Sequence, residues 1–249
     1  MVNKLSLNLK KTKFMIFKPR QKRQRFDTQL SINNQIVSQV TEILFLGVVL
    51  DENLSWKSHI SHISNKISKS VGIIFRASSY LTRASLRTLY FSMVYPYLQY
   101  CNIVWASTYS INLRRIVVLQ KRIIRILNTS KFDAHTDSIC RDLHLLKFHD
   151  ICKLQMEQFV FSCKNKLVPK YFNHMFVFSS QPPNYNTRNR KSLRIPFCRT
   201  KLRQFSTQYQ GSKFYNSLPD EIINTASFSS FTVKLKRYLC SEYGNMSAS

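Results

Sequence analysis

Two hydrophobic periods divide the chain. Up to about residue 52 apolar positions come in short runs and alternations; from Trp56 onward they recur every three or four residues. The first pattern suits strands and the second suits amphipathic helices. Leu5, Leu7 and Leu9 alternate with polar residues, and Thr12 to Phe17 is a short apolar stretch that predicts a strand. A basic loop containing Pro19 follows, from Lys18 to Arg25. Gln29–Ile32 and Gln35–Val37 flank Asn33-Asn34, a pair that tolerates the positive φ of a tight hairpin turn. Thr41 to Leu50 is β-branched and nearly all apolar, which predicts one strand buried on both faces.

The change of period follows a polar segment, Asp51 to Ser55, in which Asn53 or Ser55 can cap a helix. Ile60, Ile63, Ile67, Val71 and Ile74 then lie on one helical face. A second helix is predicted from Thr82 to Tyr95, with Leu86, Leu89, Tyr90 and Met93 inward and Pro96 ending or kinking it. Ile111 to Leu127 predicts a third, and Ser138 to Lys164 one or two more. From Leu167 to Gly211, four prolines and many Asn, Ser and Arg residues predict an irregular connector. A closing helix is expected from Leu218 to Tyr238, with Phe228, Phe231, Leu235 and Tyr238 on one side. The expected architecture is α+β, mainly α. Residues 1–52 form a small β region, 53–165 a helical region, 166–215 an irregular basic connector, and 216–249 a C-terminal helix and tail.

Composition narrows the classes. The chain has 249 residues, 44% of them hydrophobic and 13% aromatic, which excludes disorder as a whole-chain description. Lys and Arg number 38 against 12 Asp and Glu, a net charge of +26, so polyanions should be attracted. No acidic residue occurs between Asn53 and Phe132 or between Gln158 and Pro219, so the positive charge is spread in blocks and is not one tail. The longest apolar run, Ile43 to Leu50, is far short of the roughly 20 residues a membrane span needs. The N-terminus reads as neither signal nor transit peptide, and six scattered cysteines without a CxxC fit reduced thiols, so an intracellular, non-secreted protein is expected. Four glycines cannot build a phosphate-cradling Gly-rich loop.

Three groups of residues carry candidate chemistry. On the helix from Ile111 to Leu127, Leu113, Ile116, Val117, Ile123, Ile124 and Leu127 share one side. Arg114, Lys121 and Arg125 line the other, with Arg115 and Arg122 beside them. Like charges so placed repel one another and add nothing to folding; a phosphate backbone would turn the repulsion into attraction. Cys140, His144, His149 and Cys152 are the right types for zinc, but their spacing matches none of the common zinc modules, and Leu145, Leu146 and Phe148 read as core packing. Tyr95, Tyr97, Tyr100 and Trp105 can stack on bases, and equally can fill a core between helices, which is the favoured reading.

Lys11-Thr12-Lys13-Phe14-Met15-Ile16-Phe17, Phe45-Leu46-Gly47-Val48-Val49-Leu50-Asp51 and Leu54-Ser55-Trp56 resemble the end of the reverse transcriptase domain of non-LTR retrotransposons, the jockey-like group in particular. The resemblance runs on in order through Leu89-Tyr90, Tyr95-Pro96-Tyr97-Leu98, Gln120-Lys121-Arg122, His135-Thr136, Tyr185-Asn186-Thr187-Arg188, Phe214-Tyr215-Asn216-Ser217-Leu218-Pro219 and Ser227-Phe228-Ser229-Ser230-Phe231. It implies that Lys11 matches a lysine acting as general acid toward the leaving pyrophosphate, or is a surface lysine at a strand start. It implies that Phe45, Leu46 and Gly47 belong to the primer grip, or equally to a core strand with a bulge.

In the family the metal-binding aspartates lie upstream, and this sequence holds neither motif and no Asp-Asp pair. Two-metal phosphoryl transfer needs clustered carboxylates. The expectation is therefore the C-terminal part of such a polymerase, the end of the palm plus a thumb-like bundle, as in a truncated element copy. It would retain parts that bind RNA, DNA or RNA–DNA hybrid template–primer, without catalysis, cofactor or membrane partner of its own. The Mg²⁺, the upstream palm and fingers and the nuclear site of action would belong to the parent polymerase. A free-standing basic nucleic-acid-binding protein and a non-enzymatic interaction module remain open alternatives.

Overall fold

The computed structural model describes residues 8–19, 29–178 and 192–245. Leu5 and Leu7, the basic loop from Arg20 to Arg25, and Tyr185 to Arg188 lie outside the described residues. The chain divides into two compact units, residues 1–62 and 63–249. The architecture is α+β and mainly helical, with all named strands near the N-terminus.

In the first unit β1 (Lys13–Phe14) pairs parallel with β3 (Gln35–Gln39), and β2 (Leu30–Ile32) pairs antiparallel with β3, giving the order β1-β3-β2. The expected hairpin turn is present: Ile32 faces Gln35, and Asn33 and Asn34 take φ of 51° and 61°. Asparagine enters this region at less cost than most residues because its short amide bonds locally. The expected single strand from Thr41 to Leu50 is instead a second hairpin, β4 (Glu42–Phe45) and β5 (Val48–Asp51), turning at Leu46-Gly47. Gly47 adopts φ 80° without a Cβ to clash, and once the chain reverses there only Val48 and Asp51 are buried. Leu44, Phe45 and Leu46 stand in solvent, so burial on both faces does not occur.

Asp51 ties together the turn that follows this hairpin. Its carboxylate accepts from the backbone N–H groups of Asn53, Ser55 and Trp56 at 3.0–3.1 Å and from the Ser55 hydroxyl at 3.2 Å. Asp51 thereby fixes the turn that leads into the next helix, and of the two expected caps Ser55 is the one that meets it, its Oγ accepting from the Lys57 N–H at 3.5 Å. Helix α1 (Lys57–Ala77) follows, with Ile60, Ile63, Ile67, Val71 and Ile74 all buried as the periodicity required.

The second unit continues through α2 (Arg83–Met93), whose N-cap Thr82 accepts from the Ser85 N–H at 3.3 Å. As expected, the helix breaks at Pro96: α2 ends at Met93, and Pro96 lies in the first turn of the short α3 (Tyr95–Gln99), where its missing N–H costs nothing. Then come α4 (Asn102–Trp105), α5 (Ser110–Leu127), α6 (Thr136–Asp142) and α7 (Phe148–Lys164). The core gathers Leu86, Tyr90, Leu98, Trp105, Ile116 and Phe148, with the Trp105 and Phe148 rings stacked at 5.8 Å.

The segment expected as an irregular connector is more ordered than its composition suggests. It holds a 3₁₀ turn at Lys170–Phe172, α8 (Lys201–Gln204) and α9 (Thr207–Tyr215), capped by Thr200 and Ser206. Phe176, Leu193 and Tyr215 join Val160 and Cys163 in a second apolar cluster. The Asn216 amide clamps Leu193 with two 2.8 Å bonds. Gly211 lets α9 approach α7, since a Cβ there would lie 2.8 Å from Val160 Cγ2. Burial of these few aromatics outweighs weak local propensity. The expected closing helix is two: α10 (Asp220–Ile223), then α11 (Phe228–Asn245), which packs on α6 and α7 with Phe231 stacked on Phe161 at 4.5 Å.

One polar side chain sits at the centre of the second unit. Gln120, on the inner face of α5, donates to Tyr90 Oη at 3.1 Å and to the Leu146 carbonyl at 3.0 Å, and accepts from the Phe148 N–H at 2.6 Å. Gln120→Leu keeps the volume but orphans three buried groups, so it should destabilise the protein by about 3 kcal/mol. A denaturant titration measures this, and a loss below about 1 kcal/mol would show that the network contributes little.

Candidate nucleic-acid interface

Helix α5 presents the cationic face expected of it, but its five cations divide into two groups. Arg114, Lys121 and Arg122 project into solvent. Arg115 Nη2 instead donates to Asn65 Oδ1 on α1 at 2.9 Å. Arg125 is half-buried: its Nε donates to the Ala134 carbonyl at 2.8 Å and its guanidinium lies over the Phe132 ring at 5.8 Å. The expectation of five equivalent free charges is corrected to this extent. Residues 128–135 fold back over the C-terminal end of α5 and recruit Arg125 as a structural donor. Nothing in the sequence around Asn65 or Ala134 signals these two anchors.

None of the ion pairs formed among the described residues involves any of the five; these pairs are Lys18–Glu52, Arg141–Asp142, Lys147–Asp137 and Lys153–Asp150. The same outer face also exposes Ile111 and Val118, so a ligand there meets charge interleaved with apolar surface. Such a face can take phosphate oxygens on Arg and Lys and rest sugar or base edges on the aliphatic patches.

Within the first unit, Phe45, Leu46 and Gly47 come together at the tip of the β4–β5 hairpin, with Phe45 58% and Leu46 74% exposed. The tip is braced from behind by His59 of α1, whose Nδ1 accepts from the Val49 N–H at 3.2 Å. Lys11 lies on an exposed turn just before β1, its backbone N–H bonded to the Asn8 carbonyl at 3.1 Å.

The cysteine–histidine set is not assembled. Cys140 is buried in α6, His144 sits exposed at φ 51°, and Cys152 and His149 are on α7. Among the described residues no three His, Cys, Asp or Glu side chains gather in a way that could hold a metal ion. The aromatic set also divides: Trp105 is core, whereas Tyr100 is exposed and Tyr97 lies under the Lys66 ammonium at 5.6 Å.

Over 117 residues, 46% of the chain, the sequence is 23% identical to the probable RNA-directed DNA polymerase from transposon X-element of Drosophila melanogaster. The match spans 13% of that protein. It gives the chain a reverse-transcriptase-like relationship. No protein-family model matches, and no solved structure does. Among the described residues, no helix is long and apolar enough to cross a membrane.

The hairpin tip should be acid-sensitive. Burial, and secondarily the nearby His62, lowers the pKa of His59 from 6.5 to about 4, so the ring is neutral and can accept from Val49. The unfolded chain takes up this proton near pH 6.5 and the folded one only near pH 4. The stabilisation is therefore complete above pH 6.5 and is lost as pH falls toward 4. Amide exchange of Leu44 to Val49, corrected for intrinsic rates, should accelerate across that window. His59→Gln should remove the acceleration; an identical profile in the variant would clear His59 of the role.

Proposed function

We propose that this chain is the template–primer-holding part of a non-LTR retrotransposon RNA-directed DNA polymerase of the jockey-like group. In this reading residues 1–52 are the edge of the palm with its primer-grip hairpin, and the helical region 53–165 acts as a thumb. The carrying observation is the outer face of α5, where Arg114, Lys121 and Arg122 stand exposed and pair with no carboxylate among the described residues. The similarity to a transposon RNA-directed DNA polymerase supports template–primer RNA, DNA or their hybrid as the polyanion. The reading carries with it a nuclear site of action for the parent polymerase.

The chemistry of the parent would use Mg²⁺ held by paired carboxylates. The carboxylates described here do not fit that ion. Asp51 is spent on the turn ahead of α1, and Asp150 accepts from Tyr243 Oη at 2.6 Å and pairs with Lys153 at 3.1 Å. No step of nucleotide transfer is assigned to these residues, and the aspartates that perform it belong to parts of the polymerase outside this sequence. What α5 does is electrostatic: each phosphate it neutralises releases condensed counterions and holds the duplex without reading its sequence.

Fluorescence anisotropy with a labelled RNA–DNA hybrid tests the reading. Log affinity should fall linearly with log salt, with little dependence on sequence. Arg114→Gln, Lys121→Gln and Arg122→Gln combined should flatten that slope by roughly 2 to 3 units, at about 0.9 per phosphate contact, with thermal stability unchanged or raised. An unaltered slope in the folded triple variant returns this face to solvent. Affinity that is absent at low salt, or insensitive to salt, would favour an interaction module. A parallel assay should find no template-directed primer extension by the 249-residue chain with Mg²⁺ or Mn²⁺. Nucleotide incorporation would overturn the assignment of catalysis to other parts of the polymerase.

A further inference from the structure

The second unit carries another cationic surface, and its apolar part is aromatic. The stretch 192–203 runs beside 175–178. The Arg194 N–H donates to the Val177 carbonyl at 2.8 Å, and Phe178 bridges Leu193 in antiparallel sense. Gln208 of α9 donates through Nε2 to the Met175 carbonyl at 2.9 Å, and Asn216 holds Leu193 by its backbone. At the far end Thr200 caps α8, accepting from the Arg203 N–H at 3.3 Å. The backbone is fixed at both ends of the stretch, so the side chains left in solvent are placed there by the fold.

Those side chains are rings and cations. Phe197 is 84% exposed and Phe178 40%, with the Lys164 ammonium 5.6 Å from the Phe178 ring centroid. Arg194, Arg199, Lys201 and Arg203 are exposed along the same stretch, and none of them forms an ion pair among the described residues. No acidic residue occurs between Gln158 and Pro219 to neutralise them. Exposed apolar groups rimmed by charge mark an interaction surface. The charge selects a polyanion. The rings select its form: in a duplex the base faces are closed against one another, whereas unpaired bases offer flat faces to a side chain. The α5 face differs here, since only the aliphatic Ile111 and Val118 stand out among its cations.

We propose that this surface binds single-stranded nucleic acid. Phe197 and Phe178 stack on unpaired bases, and Arg194, Arg199, Lys201 and Arg203 take the phosphates between them. RNA and DNA offer the same two contacts. The surface is distinct from the α5 face and stands whether or not that face holds a duplex.

The test is fluorescence anisotropy of the whole 249-residue chain with labelled oligo(dT) and with an abasic strand of equal length and charge. A chain of this net charge attracts both, so the ratio of the two affinities isolates stacking. Oligo(dT) should bind about tenfold or more tightly than the abasic strand. Phe197→Ala should cut that ratio severalfold while leaving affinity for an RNA–DNA hybrid duplex unchanged. Because the Phe197 ring is mostly in solvent, this variant should fold as the unaltered protein does, which circular dichroism checks. Phe197→Trp should restore the ratio, and its added emission should be quenched by oligo(dT) and not by the abasic strand; the protein's own Trp56 and Trp105 are buried. Arg194→Gln, Arg199→Gln and Arg203→Gln combined should flatten the salt dependence of oligo(dT) binding by about 2 units, at about 0.7 per phosphate on a single strand. The combined α5 variant, altered at Arg114, Lys121 and Arg122, should keep the full ratio, so failure of the α5 reading and failure of this one give different results. Tighter binding of oligo(U) than of oligo(dT) would identify RNA as the strand, and the reverse would identify DNA. Equal affinity of the unaltered protein for oligo(dT) and the abasic strand overturns the proposal. So does a ratio unmoved by Phe197→Ala, or one lost in the α5 variant.

Discussion

The buried amide of Gln120 is the constraint on which the helical unit depends. A side chain 2% exposed on an otherwise apolar helix face is costly unless every polar atom is answered. Here it is answered from two directions, by Tyr90 on α2 and by the backbone at Leu146 and Phe148 where α7 begins. These three bonds are directional, as apolar packing is not, so they set the rotation of α5 about its own axis. With Gln120 turned inward, Arg114, Lys121 and Arg122 have only the outer surface available. Burial raises the Tyr90 pKa, so its hydroxyl stays neutral and the network carries no charge of its own.

The scarce acidic residues follow the same logic from the other side. Asp51 is consumed by the turn ahead of α1, and Asp150 by Tyr243 and Lys153. The Tyr243 hydroxyl in turn accepts from the Lys147 N–H at 2.9 Å, which ties α11 to the start of α7. Glu157 lies buried in α7 with neither carboxylate oxygen hydrogen-bonded, and burial raises its pKa well above the ordinary range. It therefore offsets little of the positive charge at neutral pH. A neutral Glu157 leaves the chain more cationic than the composition alone indicates.

Much of the scaffold was legible in the sequence because it rests on periodicity. The inward row from Ile60 to Ile74, the apolar side of α5 and the Asn33-Asn34 turn each follow from local spacing or local backbone preference. So does the mainly helical class with its strands at the N-terminus. The positive face of α5 was legible for the same reason. Other features depended on partners distant along the chain. Leu46-Gly47 became a turn because pairing β4 with β5 outweighed an apolar run that reads equally as one buried strand. Residues 201–215 became helical because Phe176, Leu193 and Gly211 give α9 a surface on α7, which composition cannot reveal. Likewise only folding showed that Arg115 and Arg125 are held by Asn65 and Ala134, and that Gln120 is a core residue and not part of a basic surface motif. Periodicity records which side of an element is apolar; it carries no record of which distant group will meet a given polar atom, and tertiary contact alone decides that.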